Sequence, residues 1–308
     1  MKKSLFNKFF RFSIITGVLG FTALSNSAQA QSCLSYNEAP MLASAVASGA
    51  LPAVGDRIPE EPLVVEVAEQ IGVYGGTMVD TTGGNRLAEF RHFGYEPLVR
   101  WSVDGSEIVP NVAKGWQISD DATTYTFQLR KGMKWSDGEE FTADDIVFWW
   151  TYVESNKDIQ SKPRGYMVVK GEQATVKAVD KHTVQFSWSN PNGLLLENLA
   201  SPYGVRVDQF AEHYHRQFIK GLNPDGVAKL MAADGSTDYT QWWNATVGSY
   251  GKQSEYNNPA RPSVHGWIPK EPFLGVNPTQ IIMHAPNLCC RSLKVLIVRI
   301  APLVHEPL

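Results

Sequence analysis

The sequence predicts an α/β domain with a mixed sheet, and three stretches carry the prediction. At residues 124–130 the apolar side chains Tyr125, Phe127 and Leu129 alternate with Thr124, Thr126, Gln128 and Arg130, the period-two pattern of a half-buried strand. A helix start follows. Thr142 stands at an N-cap with Asp145 three residues on to complete a capping box, Phe141 and Ile146 are spaced as a hydrophobic staple, and Asp144 and Asp145 suit the positive end of the helix dipole. Two further alternating runs, residues 174–179 and 183–188, flank Asp180-Lys181-His182 and predict a β-hairpin. Strands and helices interleaved in this way define the class.

Taken from the start, residues 1–30 read as a secretory signal peptide. Lys2, Lys3, Lys8 and Arg11 form a basic n-region, residues 12–24 an apolar h-region, and Ala28-Gln29-Ala30 a cleavage site. The apolar core is shorter than the roughly 20 residues a membrane span needs. Ala30-Gln31-Ser32-Cys33 lacks the aliphatic residue of a lipoprotein signal, so a soluble product is expected. Residues 31–72 form an N-terminal extension spaced by Pro40, Pro52, Pro59 and Pro62, with a short helix at 40–48 and then extended linker. A first strand is expected at 74–79, left by the loop Thr81-Thr82-Gly83-Gly84-Asn85-Arg86.

Ser119-Asp120-Asp121 makes a turn before the 124–130 strand, and Ser136-Asp137-Gly138 a second turn after it. Ser189-Asn190-Pro191-Asn192-Gly193 is a third. Residues 207–220 predict a helix with Phe210, Tyr214 and Phe218 on one apolar face, and Asn223-Pro224-Asp225-Gly226 starts another that runs through Met231.

One ordered set of residues carries a resemblance. Tyr95-Glu96-Pro97-Leu98, Pro110-Asn111-Val112-Ala113, Trp116, Ser119-Asp120-Asp121, Tyr125-Thr126-Phe127, Leu129-Arg130-Lys131-Gly132, Lys134-Trp135, Asp137-Gly138 and Thr142-Ala143-Asp144-Asp145-Ile146-Val147 follow one another as in the extracellular solute-binding proteins of family 5. These are the peptide-binding components of ABC importers, and the chain closely resembles them. The resemblance implies a periplasmic-binding-protein-like (type II) fold, of which residues 73–283 are mostly the first lobe, with the second lobe largely missing. It further implies closure on a peptide or related small solute, delivery to a membrane permease, a periplasmic location and no chemistry of its own. After Met283 the family pattern of Arg-Asn-Pro and aromatics gives way to His284-Ala285-Pro286-Asn287-Leu288-Cys289-Cys290. Residues 284–308 are expected to be an atypical tail from a shifted reading frame, the alternative being a divergent terminal strand.

Charge and side-chain chemistry narrow the function. The chain's net charge of −3 becomes −7 once the leader's four cations are set aside. A mildly acidic product lacks the basic stripe that phosphate backbones need, so nucleic acid is not an expected partner. Three cysteines, two of them adjacent at 289 and 290, give neither a disulfide framework nor a C-x-x-C motif. His213 and His215 point to different faces of the predicted helix and read as solvated surface, while Asp137, Glu139, Glu140, Asp144 and Asp145 read as turn and cap residues without calcium-loop spacing. No G-x-S-x-G or H-E-x-x-H is present. No cofactor or metal is expected, a monomer is, and a secreted hydrolase or a functionless remnant are the competing readings.

Trp135, Trp149, Trp150, Tyr166, Trp188, Tyr203, Trp242 and Trp243 supply many large side chains. Most are expected in the core and some along a cleft. The residues expected to face a ligand are Gly83, Gly84, Asn85 and Arg86 in the loop after the first strand, together with Tyr166.

Overall fold

The computed structural model describes residues 38–64, 77–82, 95–248, 251–254, 257–265, 280–282 and 297–302. The chain divides into two units, Met1–Ser35 and Tyr36–Leu308, and every described residue belongs to the second. The signal peptide and the Gly83-to-Arg86 loop lie outside the described residues.

A 3-10 turn, Pro40–Leu42, leads into α1 (Ala43–Ala47), and α2 (Val54–Arg57) follows. Proline at the first helical position fits, because its missing N–H would be unpaired there anyway. The segment is bonded within itself and to the main body. Arg57 pairs with Glu38 at 2.5 Å, Lys134 Nζ donates to the Asp56 carbonyl at 2.6 Å, and Glu60 N donates to the Lys131 carbonyl at 3.0 Å.

Strand β1 (Thr77–Thr82) begins three residues later than the run at 74–79. Its backbone pairs in parallel with β11 (Ile297–Pro302), which pairs antiparallel with β10 (Gln280–Ile282). The short hairpin β2 (Val99–Trp101) and β3 (Ile108–Pro110) precedes the main sheet.

That sheet is antiparallel, in the order β4 (Ala113–Ile118), β5 (Thr124–Leu129), β9 (Thr183–Ser187) and β8 (Thr175–Asp180). The alternation read at 124–130 appears as strict burial of Tyr125, Phe127 and Leu129. Tyr125 faces Phe186 and Phe127 faces Val184 in register. Phe127 and Phe186, diagonal neighbours, meet edge to face with centroids 5.6 Å apart, the arrangement the ring quadrupoles favour. The 174–188 hairpin forms as expected. A minor pair, β6 (Val168–Val169) and β7 (Glu172–Gln173), lies just before it. The two outer strands each carry a register shift, between Ala113 and Gly115 in β4 and between Ala178 and Asp180 in β8.

Helix α3 (Ala143–Phe148) packs on β8 and β9, with Phe141 and Ile146, the two staple residues, fully buried. The capping box is present: Thr142 Oγ1 accepts from Asp144 N at 3.3 Å and Asp145 Oδ2 accepts from Thr142 N at 2.9 Å. Asp145 does more than cap its own helix. Its Oδ2 also accepts from Trp135 Nε1 at 3.3 Å and its Oδ1 from Glu212 N at 2.9 Å. Burial pushes its carboxyl upward from the ordinary range and the donated N–H groups pull it back in part. Past Phe148 the helix widens into a π-helical turn, Trp149–Glu154, which buries Trp149, Trp150, Val153 and Glu154.

The motif residues of the sequence are bonded to one another. Asn111 Nδ2 donates to Glu96 Oε2 and to the Pro97 carbonyl, each at 2.9 Å, and the Asn111 carbonyl accepts from Arg130 Nε at 2.9 Å. Arg130, buried, reaches the Glu61 carbonyl with Nη1 at 2.8 Å. Two turns share one construction. In Ser119–Thr123 the Asp121 carboxylate accepts from Ser119 Oγ, Thr123 Oγ1 and Thr123 N, and in Ser102–Ser106 Asp104 accepts from Ser102 Oγ, Ser106 Oγ and Ser106 N. The left-handed fourth position is Gly105, φ 71°, in one and Ala122, φ 53°, in the other.

The single helix expected at 207–220 is not formed. A 3-10 turn (Gly204–Asp208) follows α4 (Leu195–Leu199), then α5 (Glu212–His215) and a 3-10 turn (Arg216–Phe218). The reason is a partner distant in sequence: Asp145 takes the Glu212 N–H and starts the helix there, and Ile219 leaves it in extended conformation, φ −87° and ψ 113°. Phe210, Tyr214 and Phe218 surround His215 instead of forming a stripe. His215 is accordingly fully buried, which corrects its reading as solvated surface, while His213 faces outward and meets Asp137 at 2.7 Å. Helix α6 (Pro224–Ala233) starts on the Asn223 side chain, as the Asn-Pro-Asp-Gly sequence predicts, and α7 (Tyr239–Thr246) on that of Asp238.

Two substitutions test this account. Asp145→Ala leaves three buried donors without their acceptor and is expected to lower the unfolding free energy by about 3 kcal/mol or more in chemical denaturation, with Asp145→Asn, which keeps one oxygen acceptor, losing less. Ala122→Gly removes a left-handed alanine that costs about 1–2 kcal/mol and adds chain entropy to the unfolded state worth about 0.4–1 kcal/mol. A net gain of roughly 0.5 kcal/mol is expected from the same measurement.

Candidate functional site

The candidate site is built around Tyr166, because the other expected ligand-facing residues, Gly83, Gly84, Asn85 and Arg86, lie outside the described residues. Tyr166 sits in a 3-10 turn, Gly165–Met167. The turn is held by side chains at the start of β5 and just after β9. Asn192 Nδ2 donates to the Tyr166 carbonyl at 2.9 Å, and Tyr125 donates its hydroxyl to the Asn192 carbonyl at 2.6 Å. Trp188 Nε1 donates to the Met167 carbonyl at 3.3 Å and stands edge to face on Tyr125. The strong turn signal at 189–193 thus supplies the residue that fixes the backbone of Tyr166.

The Tyr166 ring is half-buried, but its hydroxyl is closed off from solvent and makes no hydrogen bond among the described residues. Burial pushes its pKa well up, with Arg164 and Arg206 opposing and Glu154 and Asp208 reinforcing the shift. Glu154, at the end of the π-helical turn and 1% exposed, receives Arg164 N at 2.7 Å and pairs with the Arg164 guanidinium. Asp208, in the Gly204–Asp208 turn, is equally buried. The phenol therefore lies inside a field of both signs, so its protonated form is the one that persists at neutral pH.

Helix α4 packs against both the turn that carries Tyr166 and the Gly204–Asp208 turn. Its flanks present two exposed apolar residues, Leu194 and Tyr203. Leu194 carried no signal in the sequence beyond its apolar side chain after a turn. Tyr203 belonged to the aromatic supply but not to the expected ligand contacts. The six tryptophans Trp135, Trp149, Trp150, Trp188, Trp242 and Trp243 are buried, as most of that supply was expected to be.

The histidines His182 and His213 are each bonded to a carboxylate. His213 bonds Asp137 at 2.7 Å, and His182 and Lys181 bond Glu140 at 2.9 and 2.5 Å. Lys181 and then His182 hold the Glu140 carboxyl below its ordinary range. No group of three histidine, cysteine, aspartate or glutamate side chains positioned to hold a metal occurs among the described residues.

Comparison with known proteins gives this scaffold a lineage. Residues 107–249 match the family described as bacterial extracellular solute-binding proteins, family 5 Middle. The dipeptide-binding protein of Escherichia coli K12 is 35% identical over 181 residues, covering 52% of this chain and 33% of that protein. The periplasmic α-galactoside-binding protein of Rhizobium meliloti 1021 is 31% identical over 164 residues, 46% of this chain and 24% of that one. The structure of an oligopeptide-binding protein, OppA, superposes with a TM-score of 0.72 at 30% identity, over 88% of this chain and 42% of the other. The chain thus spans less than half the length of the relatives it matches. These relatives are binding proteins rather than enzymes, and the α/β scaffold is that of the periplasmic binding proteins. Through residues 107–249, with their Asn111, Ser119-Asp121 and Thr142-Asp145 signatures bonded as described, this chain is similar to the bacterial extracellular solute-binding proteins of family 5.

Proposed function

We propose that the chain is the solute-binding component of an ABC importer, exported to the periplasm, where it captures peptides or related small solutes and delivers them to a membrane permease. The observation that carries this reading is the joint agreement of sequence and fold with peptide-binding relatives: 35% identity to a dipeptide-binding protein and a TM-score of 0.72 to an oligopeptide-binding one. Residues 73–283 would supply the first lobe, with the loop at Gly83, Gly84, Asn85 and Arg86 and the Tyr166 turn facing the solute. No helix among the described residues is long and apolar enough to cross a membrane. Capture would act by population shift, the solute favouring the closed arrangement by its differential affinity.

A second reading of the solute has its own support. The α-galactoside-binding relative matches a similar share of this chain, so an oligosaccharide is the alternative to a peptide on the same scaffold. Aromatic side chains such as Tyr203 serve either ligand, since a flat apolar face receives a sugar ring or a peptide side chain alike.

Thermal unfolding of the full 308-residue chain with di- and tripeptide mixtures, and separately with α-galactosides, distinguishes these readings. A peptide held at about a hundred times its Kd is expected to add about 2.7 kcal/mol to stability without being consumed. Stabilisation by the sugars alone moves the assignment to oligosaccharides, and turnover of the peptide or no stabilisation by either class overturns the reading. Tyr166→Phe is expected to leave the unfolding midpoint of the free chain unchanged, because the hydroxyl has no partner among the described residues to lose. If that hydroxyl engages the solute, the same change weakens binding by about five- to tenfold, the equivalent of one hydrogen bond.

A further inference from the structure

His215 is the one fully buried histidine among the described residues, and it sits at a joint. Its ring is caged by Phe210, Tyr214 and Phe218 at centroid distances of 5.0, 5.0 and 6.5 Å. Nδ1 lies 2.8 Å from the Ala211 carbonyl, which can only accept, so Nδ1 carries the proton and Nε2 is a bare lone pair. Nε2 is buried and makes no hydrogen bond among the described residues.

Two of the cage residues are the anchor points of the chain that follows α7. Tyr214 donates its hydroxyl to Gln253 Oε1 at 2.9 Å and accepts from Asn258 Nδ2 at 2.8 Å. Arg261, 4% exposed, lies over the Phe210 ring at 5.3 Å and donates to the carbonyls of Gln209 at 2.7 Å and Gln253 at 3.3 Å. Ser263 exchanges backbone and side-chain bonds with Ser136 at 2.9 and 3.1 Å. Ser254, Ser263, Val264 and His265 of this loop are themselves buried. Many of its bonds are polar, and they converge on the shell of one imidazole.

The charged groups around that imidazole do not welcome a proton. Arg261 faces it from the loop with a charge of the same sign, and His213 adds to this from α5 itself. The nearby carboxylates are already occupied: Glu212 by Arg216 at 2.6 Å, Asp137 of the preceding turn by His213 at 2.7 Å, and Asp145 of α3 by the Glu212 N–H at 2.9 Å.

We propose that the loop residues 251–254 and 257–265 form an acid-released clasp: a proton taken up at Nε2 of His215 meets no acceptor among the described residues of the closed joint and is accommodated when the loop lifts from Phe210 and Tyr214. In the closed form the ring is held neutral, first by burial and then by Arg261, its pKa well below the ordinary value. In the open form it titrates near the ordinary value of about 6.5. The contribution to closure is thus complete above that value and falls as the pH drops below it, by at most about tenfold in the opening equilibrium per pH unit.

Hydrogen exchange on the full chain reads this directly, as protection factors corrected for the intrinsic pH dependence of exchange. The amides of Ser254, Asn258 and Arg261, each bonded within the loop, are expected to lose about tenfold in protection between pH 7.5 and 5.5, above the range where carboxylates titrate. The amides of Phe127 and Val184 in the central sheet are expected to hold theirs. Loop protection that stays flat across this window in the unaltered chain overturns the proposal, as does an equal loss in the sheet, which would mark global unfolding. His215→Gln, which cannot take up the proton, is expected to abolish the pH dependence whatever its effect on the absolute protection; a variant that keeps the tenfold loss would show another group to be responsible and also overturn the proposal. An imidazole nitrogen shift showing His215 protonated at pH 5.5 with the loop still protected would do the same.

Discussion

One buried carboxylate organises the half of the molecule that follows the first turns. Asp145 accepts from the backbone that begins its own helix, from the indole of Trp135 in the turn before it and from the backbone that begins a second helix 67 residues later. A buried carboxylate is costly unless its lone pairs are met, and here the donors that meet it are those left unpaired at two helix starts. The solution of one cost is the solution of the other. It also fixes the distance between α3 and α5, and with it the position of the His215 cage.

Much of the scaffold was legible because its signals are local. The alternation at Tyr125, Phe127 and Leu129 requires only a sheet with one buried face, and the Thr142-to-Asp145 box and the Asn223 cap are satisfied within three residues of themselves. What could not be read depended on partners distant in sequence. Nothing in residues 207–220 announces that the Glu212 N–H will be claimed by Asp145, so a continuous apolar stripe was the natural expectation and a broken helix around a buried histidine the outcome. The same holds for Tyr166, whose place in the turn was legible only as a large side chain after a helix, while the charges that reach its buried hydroxyl come from Arg164, Glu154, Arg206 and Asp208.

The residues that carry the family likeness have structural work to do. Asn111 joins the chain at Glu96 and Pro97 to Arg130, Asp121 closes a turn, and Thr142 and Asp145 start helices. A motif made of caps and turn-closing side chains preserves a frame without prescribing what the frame holds. That is consistent with relatives named for a dipeptide and for an α-galactoside both matching this chain at about a third identity. The chemistry that tells one solute from another must therefore reside in side chains that no capping or turn requirement constrains.

The register shifts in the two outer strands of the main sheet have a bearing on how the protein behaves in a crowd. An uninterrupted outer strand offers a row of free amides and carbonyls on which a second molecule can lay its own strand, the first step towards fibres. In β4 the extra residue is Lys114, exposed and paired with Glu61 of the amino-terminal segment. In β8 it is Val179, two residues after Lys177. Each irregularity bends the strand and breaks the row near one end, at the start of β4 and the finish of β8. Both margins of the sheet are thereby made poor templates, and the apolar alternation that builds the core is kept from recruiting further copies of itself.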